Sequence, residues 1–120
     1  MGFTAPSGWN IWKMRFEKQS EGESDMKYYS TRDAAVRMDA AEAIKMGLSR
    51  DGGLLTPCEI PQIDRAFLES LVNVRYQERA AKVMGLYLTD YTYEELSGFA
   101  ENAYGPEKFD CDVVAPVRTV

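Results

Sequence analysis

The sequence predicts a small α+β domain, mainly helical, with a short β-sheet. Three observations carry this prediction. Stretches of helical periodicity with clear start and stop residues fill the chain from Asp64 to Pro106. Runs rich in β-branched and aromatic residues, Met26–Arg32 and Val113–Val120, bracket the folded part. Between the first run and the helices, Gly47–Pro57 stops one helix, makes a tight turn and starts an apolar segment. The expected order is strand, helix, short strand, three helices, strand, a small sheet packed with helices.

Residues 1–25 read as a disordered N-terminal extension, and residues 26–120 as the folded domain. Trp9, Trp12 and Phe16 fit one face of a short helix. The polar, acidic run Glu17–Asp25 has nothing to bury and cannot offset the entropy of ordering. No apolar core with a small-residue cleavage site marks a signal peptide. Met26–Arg32, with adjacent tyrosines, is the first strand, and Asp33–Arg37 is a polar connection. Asp39 with Glu42 three residues later fits a capping box opening an alanine-rich helix. Ala40, Ile44 and Gly47 share a face of that helix, and Gly47 ends it in a left-handed conformation. Asp51-Gly52-Gly53 supplies turn chemistry, Leu54-Leu55 forms a short buried segment, and Pro57 ends it.

Asp64 caps a helix running to about Asn73, with Phe67, Leu68, Leu71 and Val72 at helical spacing. A second helix covers about Arg75–Leu88, with Gly85 inside it. The third has the strongest signals: Thr92 and Glu95 make a capping box, Leu96, Phe99, Ala100 and Ala103 form its stripe, and Gly105-Pro106 stops it.

The totals narrow the function. At 120 residues and 45% hydrophobic content, the chain can bury one core. A net charge of -5 without a basic stripe argues against nucleic acid and anionic membrane surfaces as partners. No apolar run is long enough to cross a bilayer. The chain has no histidine, which removes the commonest general base and the commonest zinc ligand together. Cys58 and Cys111 form no CxxC and read as reduced packing thiols of a cytoplasmic protein.

No catalytic, cofactor-binding or metal-binding constellation stands out. The serines lack a nucleophile-elbow context, and neither a dinucleotide fingerprint nor a P-loop is present. A Schiff-base lysine needs a dry pocket, and Lys45 and Lys82 read as solvated helix faces. Ser30-Thr31-Arg32 admits two readings. Two hydroxyls and a guanidinium can hold a phosphate or carboxylate. Equally, the hydroxyls can satisfy backbone groups at a strand end while Arg32 pairs with Asp33 or Asp51. Asp51-Gly52-Gly53 likewise reads as a turn, or as a place where backbone or ligand approaches closely.

In order along the chain, Tyr28-Tyr29-Ser30-Thr31-Arg32, then Gly47-Leu48-Ser49-Arg50-Asp51-Gly52-Gly53-Leu54-Leu55-Thr56-Pro57, then Ile60-Pro61 resemble the N-terminal domain of threonine synthases. Tyr76–Ala81, Ala103-Tyr104 and Val114–Val117 agree in order with later features of that family. The resemblance covers about residues 26–120. Leu55 stands where the family usually has an aromatic residue, and Arg75 where it usually has a small one. The resemblance implies a parent enzyme of fold type II that converts O-phosphohomoserine and water to threonine and phosphate using pyridoxal phosphate. The family's cofactor lysine, in an F-K-D context, and its phosphate-binding glycine-rich loop belong to a segment that follows this domain. The 120-residue chain alone is therefore expected to bind no cofactor and to be inactive. It is expected to pack on the catalytic domains of the parent chain, with Ser30, Thr31, Arg32, Asp51, Gly52 and Gly53 at the substrate entrance or at the domain interface. The alternative is a stand-alone, non-catalytic interaction module derived from that domain. Either way, the apolar face normally covered is expected to be exposed and to favour self-association.

Overall fold

The computed structural model describes residues 25–120, so almost all of the expected extension, with Trp9, Trp12 and Phe16, lies outside the described residues. Three short strands form an antiparallel sheet in the order β2-β1-β3. They are β1 (Tyr28–Ser30), β2 (Arg37–Met38) and β3 (Leu55–Pro57). In the central strand, Tyr28 lies opposite both Met38 and Pro57, and Ser30 lies opposite Leu55. Arg37, expected in the connection, belongs to an edge strand, where its guanidinium rests 5.4 Å from the Tyr29 ring centroid. Pro57 is tolerated because β3 is also an edge. The expected last strand is absent: residues 113–120 are irregular and mostly exposed. Their β-branched side chains favour a pleated surface only where a neighbouring strand supplies one, and no described strand pairs with them.

Helix α1 (Ala40–Met46) follows Asp39 as expected, but by a different cap. Asp39 makes no capping hydrogen bond and instead pairs with Lys27. The amide of Ala41 donates to the Asp90 carboxylate at 2.8 Å, a cap supplied from far along the chain. The helix buries Ala40 and Ala43, whereas Ile44 is exposed, so the buried face is not the one the Ala40–Ile44–Gly47 spacing suggests. Gly47 has φ 74° and ψ -63°, and the Leu48 amide donates to the Met46 carbonyl at 2.9 Å. This is a γ-turn of the strained hand, not a left-handed helical cap, and a side chain there would be strained further.

Helix α2 (Arg65–Glu69) is shorter than its apolar spacing suggests. The Asp64 carboxylate accepts from the Phe67 amide at 2.8 Å, as expected. Beyond Glu69 the bonds tighten to three-residue spacing, Leu71 to Leu68 and Val72 to Glu69, and the helix unwinds into turns. Only Phe67 of its stripe is buried. Helix α3 (Tyr76–Met84) ends at Gly85, which lies outside its interior and keeps an ordinary φ of -61°. Helix α4 (Tyr93–Ala103) carries the predicted capping box: Thr92 Oγ1 accepts from the Glu95 amide, and the Glu95 carboxylate accepts from the Thr92 amide at 2.8 Å. A short 3-10 turn (Pro106–Lys108) follows.

The core sits between α3 and α4, where Ala81, Leu96 and Ala100 are completely buried. Alanines at the contact let the helices approach closely, and tyrosines rim it. Tyr76 meets Tyr104 edge-on at 4.9 Å, and the Gln77 amide closes the end of α4 by donating to the Tyr104 carbonyl. Lys82, expected in solvent, is only 2% exposed. Its Nζ donates to the Ser70 carbonyl at 3.1 Å and lies 3.2 Å from Glu78, so α3 turns this face towards the end of α2. Cys58 and Cys111, expected to pack, are both exposed. Three hydrogen bonds tie the sheet and α1 to residues 87–90. The Met26 amide donates to Thr89 Oγ1 at 2.9 Å, the Tyr28 hydroxyl donates to the Tyr87 carbonyl at 3.0 Å, and Asp90 caps α1.

Candidate functional site

The six residues singled out in sequence converge on one hairpin. Leu48 and Leu54 form an antiparallel bridge, and the chain reverses between them. The Gly52 amide donates to the Ser49 carbonyl at 2.8 Å, and the Ser49 amide to the Gly53 carbonyl at 3.0 Å. With φ 80° at Gly52, this is a three-residue hairpin loop whose last residue takes the left-handed conformation.

β1 holds the loop from the side. Ser30, almost fully buried, donates its hydroxyl to the Asp51 carboxylate, with Oγ 2.8 Å from each carboxylate oxygen. The Gly53 amide donates to Asp51 Oδ1 at 2.8 Å. These bonds leave no room for a side chain at Gly53: a Cβ there would overlap Ser30 Oγ and lie 3.0 Å from the Arg32 amide nitrogen. The Gly53 amide, then the Ser30 hydroxyl, together with the Ser49 hydroxyl and the Arg32 charge, hold the Asp51 carboxyl below the usual carboxylate range.

Thr31 pairs with the hairpin's outgoing arm. Its amide donates to the Leu54 carbonyl at 2.9 Å, and its Oγ1 accepts from the Leu54 amide at 3.0 Å. Arg32 lies across the loop, with Nη1 donating to the Asp51 carbonyl at 3.2 Å. The two hydroxyls of the Ser-Thr-Arg sequence are thus committed within the protein, and the exposed Arg32 guanidinium keeps further donors for an outside acceptor. Ser49 is a member of this cage that residue type alone did not flag. Its signal in the sequence is only its position, just inside the hairpin and two residues before Asp51.

This rigid loop is flanked by exposed apolar side chains: Ile44 is 60% exposed, Leu48 58% and Leu54 60%. The cross-strand pair Leu48–Leu54, expected in part as a buried segment, therefore faces solvent rather than filling a core. A groove of about 400 Å³ beside the hairpin and a hollow of about 230 Å³ at the end of α4 are both lined without a lysine. Among the described residues, Lys82 is tied to Ser70 and Glu78, and Lys27 to Asp39. Neither of these two linings offers an amine for a Schiff base. No group of described residues could hold a metal ion, and no helix among them is long and apolar enough to cross a membrane.

The described residues thus form a small α+β domain whose hairpin is held by the Ser30–Asp51–Gly53 bonds. Comparison with known proteins gives its family: the chain belongs to the threonine synthase N-terminus family, whose profile matches residues 27–104. Threonine synthase of Corynebacterium glutamicum is 38% identical over 98 residues, 77% of this chain and 20% of that protein. Threonine synthase of Schizosaccharomyces pombe is 34% identical over 83 residues, 68% of this chain and 16% of that protein. The human protein threonine synthase-like 1 is 38% identical over 81 residues, 65% of this chain and 11% of that protein. The chain thus spans about a fifth or less of the length of these relatives. No solved structure matches it significantly.

Proposed function

We propose that this chain is the N-terminal domain of a threonine synthase, whose complete form converts O-phosphohomoserine and water to threonine and phosphate. Pyridoxal phosphate would supply the electron sink for that reaction, held by the part of the protein that follows this domain. The observation that carries the reading is the family match over residues 27–104, which includes the whole hairpin node and the α3–α4 core. The domain packs on the catalytic part and acts in the cytoplasm. Ser30, Asp51 and Gly53 keep the hairpin rigid, while Thr31 fastens its outgoing arm. Arg32 and the Gly52 turn border the substrate entrance or the seam with the catalytic part. Exposed Ile44, Leu48 and Leu54 support such a covered face. Excluding bulk water while positioning the substrate is a task a rigid rim can perform without touching the reacting atoms.

A domain exchange tests this. Residues 27–104 replace the matching segment of the Corynebacterium glutamicum enzyme, and phosphate release from O-phosphohomoserine is measured. Retained activity in the exchange, with none from the 120-residue chain supplied with pyridoxal phosphate, is the expected result. A well-folded, cofactor-loaded but inactive exchange would count against the reading. Arg32→Ala in the active exchange then separates the two roles. A raised KM places Arg32 at the substrate entrance, and an unchanged KM with lowered thermal stability places it at the seam.

A further inference from the structure

Asp51-Gly52 is the one place in the sequence where Asp or Asn is followed by Gly. That pairing carries its own chemistry. A glycine after an aspartate has no Cβ to shield its amide nitrogen, and its free backbone lets that nitrogen reach the side-chain carboxyl. The Gly52 nitrogen then bonds to Asp51 Cγ, the carboxyl hydroxyl leaves with the amide proton as water, and a cyclic imide forms. Water reopens the imide. Attack at the side-chain carbonyl restores aspartate. Attack at the main-chain carbonyl leaves isoaspartate, with the main chain rerouted through Cβ and Cγ.

The hairpin requires both residues of this pair. Gly52 has φ 80°, which other residues rarely adopt, and Asp51 is the acceptor that gathers the Ser30 and Gly53 donors. Both residues are exposed, so water reaches them. Hydrogen bonding is what opposes the reaction. The nucleophile, the Gly52 nitrogen, is anchored through its N–H to the Ser49 carbonyl at 2.8 Å. The electrophile, the Asp51 carboxyl, takes the Gly53 amide on Oδ1 and the Ser30 hydroxyl against both oxygens, each at 2.8 Å. Ser30 is itself buried and accepts from the Arg32 amide at 3.2 Å. These donors fix the carboxyl's orientation and favour its ionised form, which has no hydroxyl to release. Only opening of the hairpin frees both reacting groups together.

We propose that Asp51 is a latent self-modification site: the closed hairpin suppresses imide formation, and opening of the hairpin allows conversion of Asp51 to isoaspartate. Ser30 is the positioning residue, because it holds the carboxyl from a neighbouring strand. The product cannot close the same loop. Isoaspartate lengthens the main chain by one atom between Ser49 and Gly53, so the bonds from Ser49 to Gly52 and Gly53 and the Leu48–Leu54 bridge lose their register. The inference does not depend on the proposed enzymatic parentage.

The test incubates the 120-residue chain at neutral pH, folded in buffer and unfolded in guanidinium chloride. Isoaspartate at Asp51 is followed by peptide mapping with endoproteinase Asp-N, which cuts before aspartate and not before isoaspartate. The folded chain should accumulate the product at least about tenfold more slowly than the unfolded chain, because reaction waits on local opening. Ser30→Ala, shown to be folded by circular dichroism, loses a bond to a charged acceptor and should react about tenfold faster than the folded parent chain. Should that variant not fold, Thr31→Val makes the same comparison: it removes the Leu54 amide's acceptor on the outgoing arm and should raise the rate severalfold. Equal rates in the folded and unfolded parent chain overturn the proposal. So does a folded variant that reacts no faster than the parent.

Discussion

At the scale of single residues, the Ser30–Asp51–Gly53 node makes the sharpest predictions. Gly53 needs no unusual φ; its constraint is space alone, because Ser30 Oγ and the Arg32 amide occupy the position of a Cβ. Gly53→Ala should therefore destabilise the chain by about 1–3 kcal/mol in thermal unfolding, a cost of overpacking. Asp51 adds a pH dependence. Its carboxyl is held below the ordinary value by the Gly53 amide first and the Ser30 hydroxyl second. A carboxyl whose folded pKa is depressed stabilises above its unfolded pKa, about 3.9, and that contribution is lost as pH falls through the folded value. Thermal unfolding between pH 5 and pH 2 should show the unmodified chain losing more stability than Asp51→Asn; parallel acid limbs would remove Asp51 from the account. Sequence made Asp51-Gly52-Gly53 legible as a turn because turn chemistry is local. It did not show that Ser30 donates to Asp51, since the sheet pairing that brings them together is non-local.

At the scale of elements, the two capping boxes read from the sequence had different fates. Thr92 and Glu95 cap α4 reciprocally as expected, and Thr92→Ala should cost about 1 kcal/mol. Asp39 and Glu42 form no box, because Asp39 turns to Lys27 and Asp90 takes over the first turn of α1. Asp90→Ala should consequently lower the melting temperature more than Asp39→Ala, although only Asp39 looks like a cap in the sequence; the reverse order would contradict the cap from Asp90. Helix stripes were legible in spacing but not in burial. Phe67 and Leu96 go inside, while Leu68 and Phe99 from the same stripes face outward. Spacing identifies a face; only the neighbouring element decides which part of it is covered. Lys82 shows the same limit from the polar side. Its chemistry suggests solvent, and the end of α2 supplies the carbonyl that makes burial tolerable.

At the scale of the whole molecule, the chain keeps a modest core and a large apolar exterior. Ile60, Ile63, Leu68 and Val72 join Ile44, Leu48 and Leu54 among the exposed apolar residues. A chain with this surface should self-associate when isolated, with light scattering giving a mass that rises with concentration. Leu48→Glu with Leu54→Glu should reduce that rise without lowering the melting temperature, since neither side chain is in the core. A monomer at all concentrations would argue that these residues form no sticky face. The run at residues 113–120 is irregular and mostly exposed. Its composition favours a strand, but composition cannot supply the partner strand that such a run needs.

The bonds to residues 87–90 tie the sheet and α1 to the connection between α3 and α4, and this link sets an expectation for how the described residues open. Met26, Tyr28 and Ala41, all on the sheet side, reach Thr89, Tyr87 and Asp90 on the connection between α3 and α4. Amide hydrogen exchange should register two classes of opening. The α3–α4 pair, held by its alanine-and-leucine core, should open least often. The sheet and α1 should open together and more often, without the helices having to melt. Loosening the link at Thr89 should widen the gap between the two exchange rates instead of raising both.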